Sequence, residues 1–193
     1  MVYISNNAIK EIEEKFGKPE LRQTSFEMPD YELSMVKNSQ KDGRAHDVTI
    51  FIKKGENFIF NAKHWYPKGM CRAPSGGVRP GESIEDGCLR EALEETGCMV
   101  RLLKYLLRIK CRFTSGEELV DWTSHIFLAE FVSGDLKPID TNEIREVFVV
   151  SPEEIQDIRK VMEGVDSGGI HYRAYLTDEV MSVLEKNGDL SSY

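Results

Sequence analysis

Six acidic side chains and a single arginine crowd into residues 81–97, GESIEDGCLREALEETG, a stretch that reads as one short helix. Like charges at helical spacing repel, so each acid needs a reason to be there. Ser83 followed three residues later by Asp86 reads as a helix start, with aspartate in the place usually taken by Glu or Gln. Glu82, Glu85 and Asp86 suit the positive end of the helix dipole, and Gly97 suits a left-handed stop. Glu91, Glu94 and Glu95 have no such excuse. The last two lie where the dipole disfavours negative charge, and at about 3.6 residues per turn all three point the same general way. Leu89, Ala92, Leu93 and Thr96 fall on another face and are expected to seat the helix in a core. Arg90, one turn before Glu94, can brace that carboxylate, but one guanidinium does not neutralise three acids. Two readings follow. Water screens an exposed acidic face, or the carboxylates gather a hard divalent cation such as Mg²⁺ or Mn²⁺.

The surrounding spacing favours the cation. The chain runs Gly76, five residues, Glu82, seven residues, Arg90-Glu91-Ala92, one residue, Glu94-Glu95, one residue, Gly97-Cys98. This resembles the Nudix box at every fixed position, with Cys98 a mild departure in an aliphatic slot. The resemblance implies a loop–helix–loop beside the phosphates of a nucleoside diphosphate linked to another moiety. It implies that Glu94 and Glu95 hold Mg²⁺ (Mn²⁺ being the alternative metal), and that Glu91 joins them or acts as base. Arg90 would brace the glutamates, Gly76 would lend a carbonyl to the metal, and Glu82 would support a metal or the loop near the substrate. Family members often use a further acid nearer the C-terminus. In NEIREVFVVSPEEI the residue closest to that position is Glu146, with Glu143 the alternative.

The chemistry so implied is pyrophosphate hydrolysis in nucleotide-pool housecleaning. Metal ions withdraw charge from phosphorus, and a glutamate takes the proton of the attacking water. A different class of function on the same fold is a non-catalytic nucleotide-binding sensor or regulator, which would usually show a damaged box. A third is isoprenoid diphosphate isomerisation, for which Cys71 is a poor candidate. The marks of three substrate branches are missing. No proline lies between Pro80 and Pro138, Phe113 stands where a downstream tyrosine is expected, and residues 63–75 do not reproduce the coenzyme A pattern. The leaving group stays unassigned.

Just upstream, KHWYPKGMCR sets Lys63, Lys68 and Arg72 beside Trp65 and Tyr66. Cations for phosphate and rings for a base make a substrate site, and a solvated loop with packed aromatics is the other reading. Trp122 is either a stacking platform or core. His64, His125 and His171 show no metal spacing and read as structural.

These residues need a scaffold. NAIKEIEEKF (7–16) has helical spacing, and residues 20–37, interrupted by Pro29, read as one or two edge strands. HDVTIFIKKGENFIFNAKHW reads as a hairpin turning at KKGEN, with Val48, Ile50 and Ile52 on one face. Strands are expected over 101–113, 121–132 and 145–150. Ser151-Pro152 opens a helix, VDSGGIHYRAY reads as a loop, and Thr177 caps a last helix over about 177–186. Strands around separated helices give an α/β sandwich with a mixed sheet, and the resemblance specifies a Nudix-type α/β/α sandwich. The organisation is an extension over 1–40, a catalytic domain over 41–187 and a frayed tail over 188–193. The extension is expected to shape either a homodimer interface or the substrate pocket.

Composition narrows the partners. A formal net charge of −8 in 193 residues argues against a nucleic-acid binder but permits an anionic small molecule, since a bound cation reverses the local field. Cys71, Cys88, Cys98 and Cys111 lack zinc spacing and read as reduced, buried thiols. With neither a signal-peptide pattern nor a membrane-length apolar run, the expected location is the cytoplasm.

Overall fold

The computed structural model describes residues 4–41, 44 and 46–190. Its elements run α1 (Asn6–Phe16), β1 (Glu20–Glu27), α2 (Asp30–Lys41), β2 (His46–Lys54), β3 (Asn57–Lys63) and β4 (Ser75–Gly77). They continue with α3 (Ile84–Thr96), β5 (Cys98–Ser115), β6 (Glu118–Gly134), β7 (Ile144–Val150), α4 (Pro152–Glu163) and α5 (Gly168–Lys186). The strands form one mixed sheet in the order β1-β5-β6-β2-β3-β7, with β4 paired to β2. The β1–β5 and β2–β6 pairs are parallel and the others antiparallel.

Alternation along the strands makes two cores, one on each face. Val48, Ile50, Ile52 and Phe127 meet Ile12 of α1 and Ile84, Cys88 and Ala92 of α3. Phe51, Ile126 and Leu128 point the other way, to Leu33 of α2, Ile155 and Ile158 of α4 and Ile170 of α5. The expected α/β/α sandwich is therefore the observed one. The hairpin turns after Lys54 as read, and Ser151 caps α4 with a reciprocal Ser151–Glu154 box.

The extension differs from its reading. Of residues 20–37 only the first part is an edge strand, β1, paired from Glu20↔Leu107 to Glu27↔Thr114. Residues 30–41 form a helix in place of a second strand. Pro29 starts that helix, its carbonyl accepting from the backbone N–H groups of Glu32 and Leu33. Leu33 and Val36 reach the core along it, a helical spacing that loose alternation obscured.

The presumed loop before Thr177 is also helical. Ser167 caps α5, accepting from the Ile170 N–H at 3.2 Å, while Thr177 lies inside the helix and donates to the Arg173 carbonyl. The Gly168-Gly169 pair disguised this start. A Cβ at Gly168 would fall 2.2 Å from the Glu27 carbonyl oxygen, so glycine is what lets α5 begin against the end of β1. Asp189 is held by Lys104 and by Lys53, and residues 191–193 of the presumed tail lie outside the described residues. All four cysteines are buried and free, and burial pushes Cys71 and Cys111 up to about 12. Among the described residues no helix is long and apolar enough to cross a membrane.

Candidate active site

α3 carries the acidic cluster, and its ends form as their residues require. The Ser83 hydroxyl oxygen accepts from the Asp86 N–H at 3.0 Å, and Gly97 closes the helix in the left-handed region with φ 68°. The seating face differs from expectation. Leu89 and Leu93 are 37% and 40% exposed, while Cys88, Ala92 and Thr96 are buried. The helix is rolled so that Glu91 and Glu95 also face inward. The acids therefore sit at the edge of the core, and a fully solvated acidic face does not describe them.

Arg90 is the positive group among them. Its Nε and Nη2 donate to the two Glu82 oxygens at 2.6 and 2.9 Å. Its Nη1 donates to Glu91 and, at 3.0 Å, to Glu94, and Nη2 also reaches the Gly77 carbonyl at 3.0 Å. The hydrogen bonds to Glu82, above all, outweigh burial and, with those to Glu91 and Glu94, hold the guanidinium pKa above its ordinary value. Burial raises the Glu82 carboxyl, but Arg90 and the Arg79 N–H bring it below the ordinary carboxylate value. Burial dominates at Glu91 and, with Glu95 and Glu94 nearby, outweighs Arg90 to raise its pKa to about 7.

Glu95 belongs to a separate buried network. Its Oε2 accepts from Asn61 Nδ2 at 2.7 Å and from the Ser75 N–H at 2.8 Å, and its Oε1 pairs with Arg72 Nη2 at 3.3 Å. Arg72 is itself buried and donates to the Tyr66 hydroxyl at 2.8 Å, to Ser75 and to the Ala73 carbonyl. Gly76 sits against the Glu91 carboxylate, where a Cβ would fall 2.1 Å from it.

Carboxylates with a backbone carbonyl alongside are the donors a hard divalent cation takes, so the chemistry of the set fits. Their aim is another matter. Among the described residues no three His, Cys, Asp or Glu side chains converge on one point, because Glu82, Glu91 and Glu94 turn to Arg90 and Glu95 turns to Asn61 and Ser75.

The remaining anticipated residues are scattered. Glu146 is exposed on β7, opposite Ala62. Its alternative, Glu143, hydrogen-bonds Lys63. Lys68 is exposed on the loop after β3, away from any described contact with the acids. Trp65, 61% exposed, stands edge-on to Tyr66 and borders a cavity, which Arg72 also lines. Glu82 spends its oxygens on Arg90 and Arg79, so it braces the loop and offers nothing to a substrate directly.

That cavity, of about 550 Å³, lies on the sheet face opposite α3. α2 supplies Tyr31, Met35 and Val36, and the sheet and α5 supply Phe113, Trp122 and Tyr172. Part of the extension, α2, therefore lines a cavity. Arg72 is common to both regions, lining the cavity while paired to Glu95. Sequence reasoning passed over Asp47, Asn61 and Arg173. Asn61 left a signal, a lone amide in the apolar run FIFNAK, whereas Asp47 looks like an ordinary strand start. His125 is structural, as expected. The Tyr105 hydroxyl hydrogen-bonds its Nδ1, and its Nε2 meets His46 Nδ1 at 2.9 Å.

Comparison with known proteins bears on the family and the fold. The family model described as NUDIX domain matches residues 43–166. The mouse oxidized purine nucleoside triphosphate hydrolase is 39% identical over 102 residues, covering 53% of this chain and 63% of that protein. The NAD-capped RNA hydrolase NudC of Chromobacterium violaceum is 29% identical over 91 residues, covering 47% of this chain and 32% of that protein. In fold, a NUDIX hydrolase from Nitrosomonas europaea superposes with TM-score 0.50 at 24% identity, covering 78% of this chain and 92% of that one.

Proposed function

This chain belongs to the Nudix family, and from that premise we propose that it hydrolyses a pyrophosphate linkage in a nucleoside polyphosphate or a nucleoside diphosphate linked to another moiety. The observation that carries the reading is the intact constellation of Glu91, Glu94 and Glu95 on α3, with Gly76 packed against Glu91. A damaged constellation would favour a sensing role, and none of these positions is altered. Family members generally depend on a divalent metal, and Mg²⁺ is the ion we expect. Glu91, Glu94, Glu95 and the Gly76 carbonyl are the groups that would hold it. When bound, the ion supplies Lewis acidity at the phosphate oxygens and screens their charge.

The chain's own residues account for the rest. Glu91, at the edge of the core, would take the proton of the attacking water or join Glu94 and Glu95 in holding the ion. Arg90 orients it, and Glu82 fixes Arg90 through two hydrogen bonds. Glu95 is immobilised by Asn61, Ser75 and Arg72. Lys63, beside Arg72 and Glu143, offers a positive charge to a phosphate at the mouth of the cavity. The relatives named for oxidised purine nucleoside triphosphates support a purine nucleotide as substrate, although the match covers 63% and 60% of the mouse and zebrafish proteins.

The test is phosphate release from a panel of nucleoside di- and triphosphate derivatives. Wild type and Glu94→Gln are compared with Mg²⁺ and with chelator. Turnover of one or two compounds that needs the metal and vanishes in the variant establishes the reaction. Metal-dependent nucleotide binding without turnover across the panel would replace it with the sensor.

A further inference from the structure

Asp47 stands at the start of β2, 3% exposed, on the wall of the 550 Å³ cavity. Its Oδ2 accepts from Arg173 Nη2 at 2.8 Å, and Arg173 Nη1 donates to Thr49 Oγ1 at 3.0 Å. Its Oδ1 is buried and has no hydrogen-bond partner among the described residues. A carboxylate oxygen buried without a donor has given up its hydration uncompensated, so the arrangement makes sense when a group bound in the cavity donates to it. We propose that the cavity is a nucleobase site and that Asp47 selects bases carrying an exocyclic amino group.

The surroundings suit a flat heterocycle. Phe113, Trp122 and Tyr172 border the cavity from the sheet and α5, and Tyr31 borders it from α2. Rings stack on bases without regard to their identity, which leaves discrimination to the few polar atoms present. The volume lies within the range of small-molecule pockets, roughly 300–1,000 Å³. Asp47 is an acceptor held in a fixed aim by Arg173. An amino group satisfies its free oxygen. A ring carbonyl in the same place repels it, and a bare C–H leaves it unpaired.

The site also draws on segments outside the family match. The family match spans residues 43–166, yet α2 lies before it and Ser167, Gly169, Ile170, Tyr172 and Arg173 lie after it. Glu32 of α2 ties these two segments together, its Oε2 accepting from the Gly169 N–H at 2.9 Å. Arg72 then connects the cavity to Glu95. The inference rests on the reading of the site as a nucleotide hydrolase, because it puts the base in the cavity and the phosphates toward α3.

The test needs neither metal nor polyphosphate. Trp65 and Trp122 are the chain's two tryptophans and both line the cavity, so intrinsic fluorescence reports its occupancy. Wild type is titrated, in chelator, with adenosine against purine riboside and with guanosine against inosine. Each pair differs by one amino group. The amino-bearing member should bind about tenfold more tightly or better, the scale of one hydrogen bond to a charged group. In Asp47→Asn the side-chain amide can donate, and the preference should vanish or invert. Equal affinities within each pair in wild type, or no quenching by any nucleoside, would overturn the proposal. So would a folded Asp47→Asn that keeps the wild-type preference. If that variant does not fold, the wild-type pairs alone decide. A failed hydrolysis panel leaves these titrations standing, so the two readings fail separately.

Discussion

Gly76→Ala separates catalysis from stability. The Gly76 backbone is not in the left-handed region, so alanine costs no strain there and removes about 0.4–1 kcal/mol of chain freedom from the unfolded state. Its Cβ, however, would lie 2.1 Å from the Glu91 Cδ and Oε1 and 2.3 Å from Oε2. The carboxylate must swing away, and its hydrogen bond to Arg90 breaks. A bond between charged groups is worth about 1.5–3 kcal/mol, and relief of Glu91 from burial returns part of it. The net destabilisation is therefore about 1–2 kcal/mol, a fall in melting temperature of roughly 2–8 °C for a chain of this size. The proton acceptor, in contrast, is displaced outright, a loss of about 10²–10⁴ in rate. The assay pairs a thermal melt with kcat/KM on whichever substrate the panel identifies. Adding Gly76→Ala to Glu91→Gln should cost little more, since both remove one interaction. Activity within threefold of wild type in Gly76→Ala would refute the placement of Glu91 in the chemistry.

Three further outcomes are expected. Glu94→Gln should abolish metal-dependent turnover yet change the melting temperature by no more than a few degrees, because the Glu94 side chain is 37% exposed; a large loss of stability would make it a structural residue. Arg90→Ala leaves Glu82, Glu91 and Glu94 facing one another, and should lose about 3–5 kcal/mol in chelator. Divalent cation should raise its melting temperature more than that of wild type, and equal rises would mean the carboxylates do not share the ion. Stability should also fall on acidification. Burial, with His46 and Arg108 nearby, holds His125 neutral far below its ordinary pKa, whereas the unfolded chain takes up that proton near pH 6.5. More protons are then bound unfolded than folded, so stability declines as pH drops through 6.5, by up to about 1.4 kcal/mol per unit. Denaturant melts from pH 7.5 to 5 check this, and His125→Gln should flatten the slope.

What the sequence disclosed follows from how local each feature is. The caps, hairpin and box spacing were legible because each depends on residues within a few positions of one another. α2 and the first turns of α5 were not, because tertiary contacts select them. Leu33 must find the core, and Gly168 must find the end of β1. The roll of α3 was misjudged for a similar reason. Leu89 and Leu93 looked like its buried stripe, but the Gly76 backbone and the Asn61 amide draw Glu91 and Glu95 inward. Arg72 read as a phosphate ligand on its charge, whereas its burial beside Tyr66, Ser75 and Glu95 makes it a brace. Asp47 and Arg173 lie 126 positions apart in their pairing, a distance no local pattern spans.

The acids of α3 divide by what holds them. Glu82 takes two hydrogen bonds from Arg90 and one from the Arg79 N–H, and Glu95 takes its bonds from Asn61, Ser75 and Arg72, so Glu95 cannot leave without stranding buried donors and Glu82 cannot leave without giving up three bonds. Among the described residues Glu91 and Glu94 are each held by one contact from Arg90, with two long ones from Arg79 to Glu94 at 3.3 and 3.4 Å. These two can turn from Arg90 at a cost that a doubly charged cation readily offsets. Glu82 would keep the arginine in place while they turned, and Glu95 would stay fixed as they approached it. On the proposed reading the crowding of like charge is a division of labour, with two anchored carboxylates setting the frame and two movable ones closing on the ion.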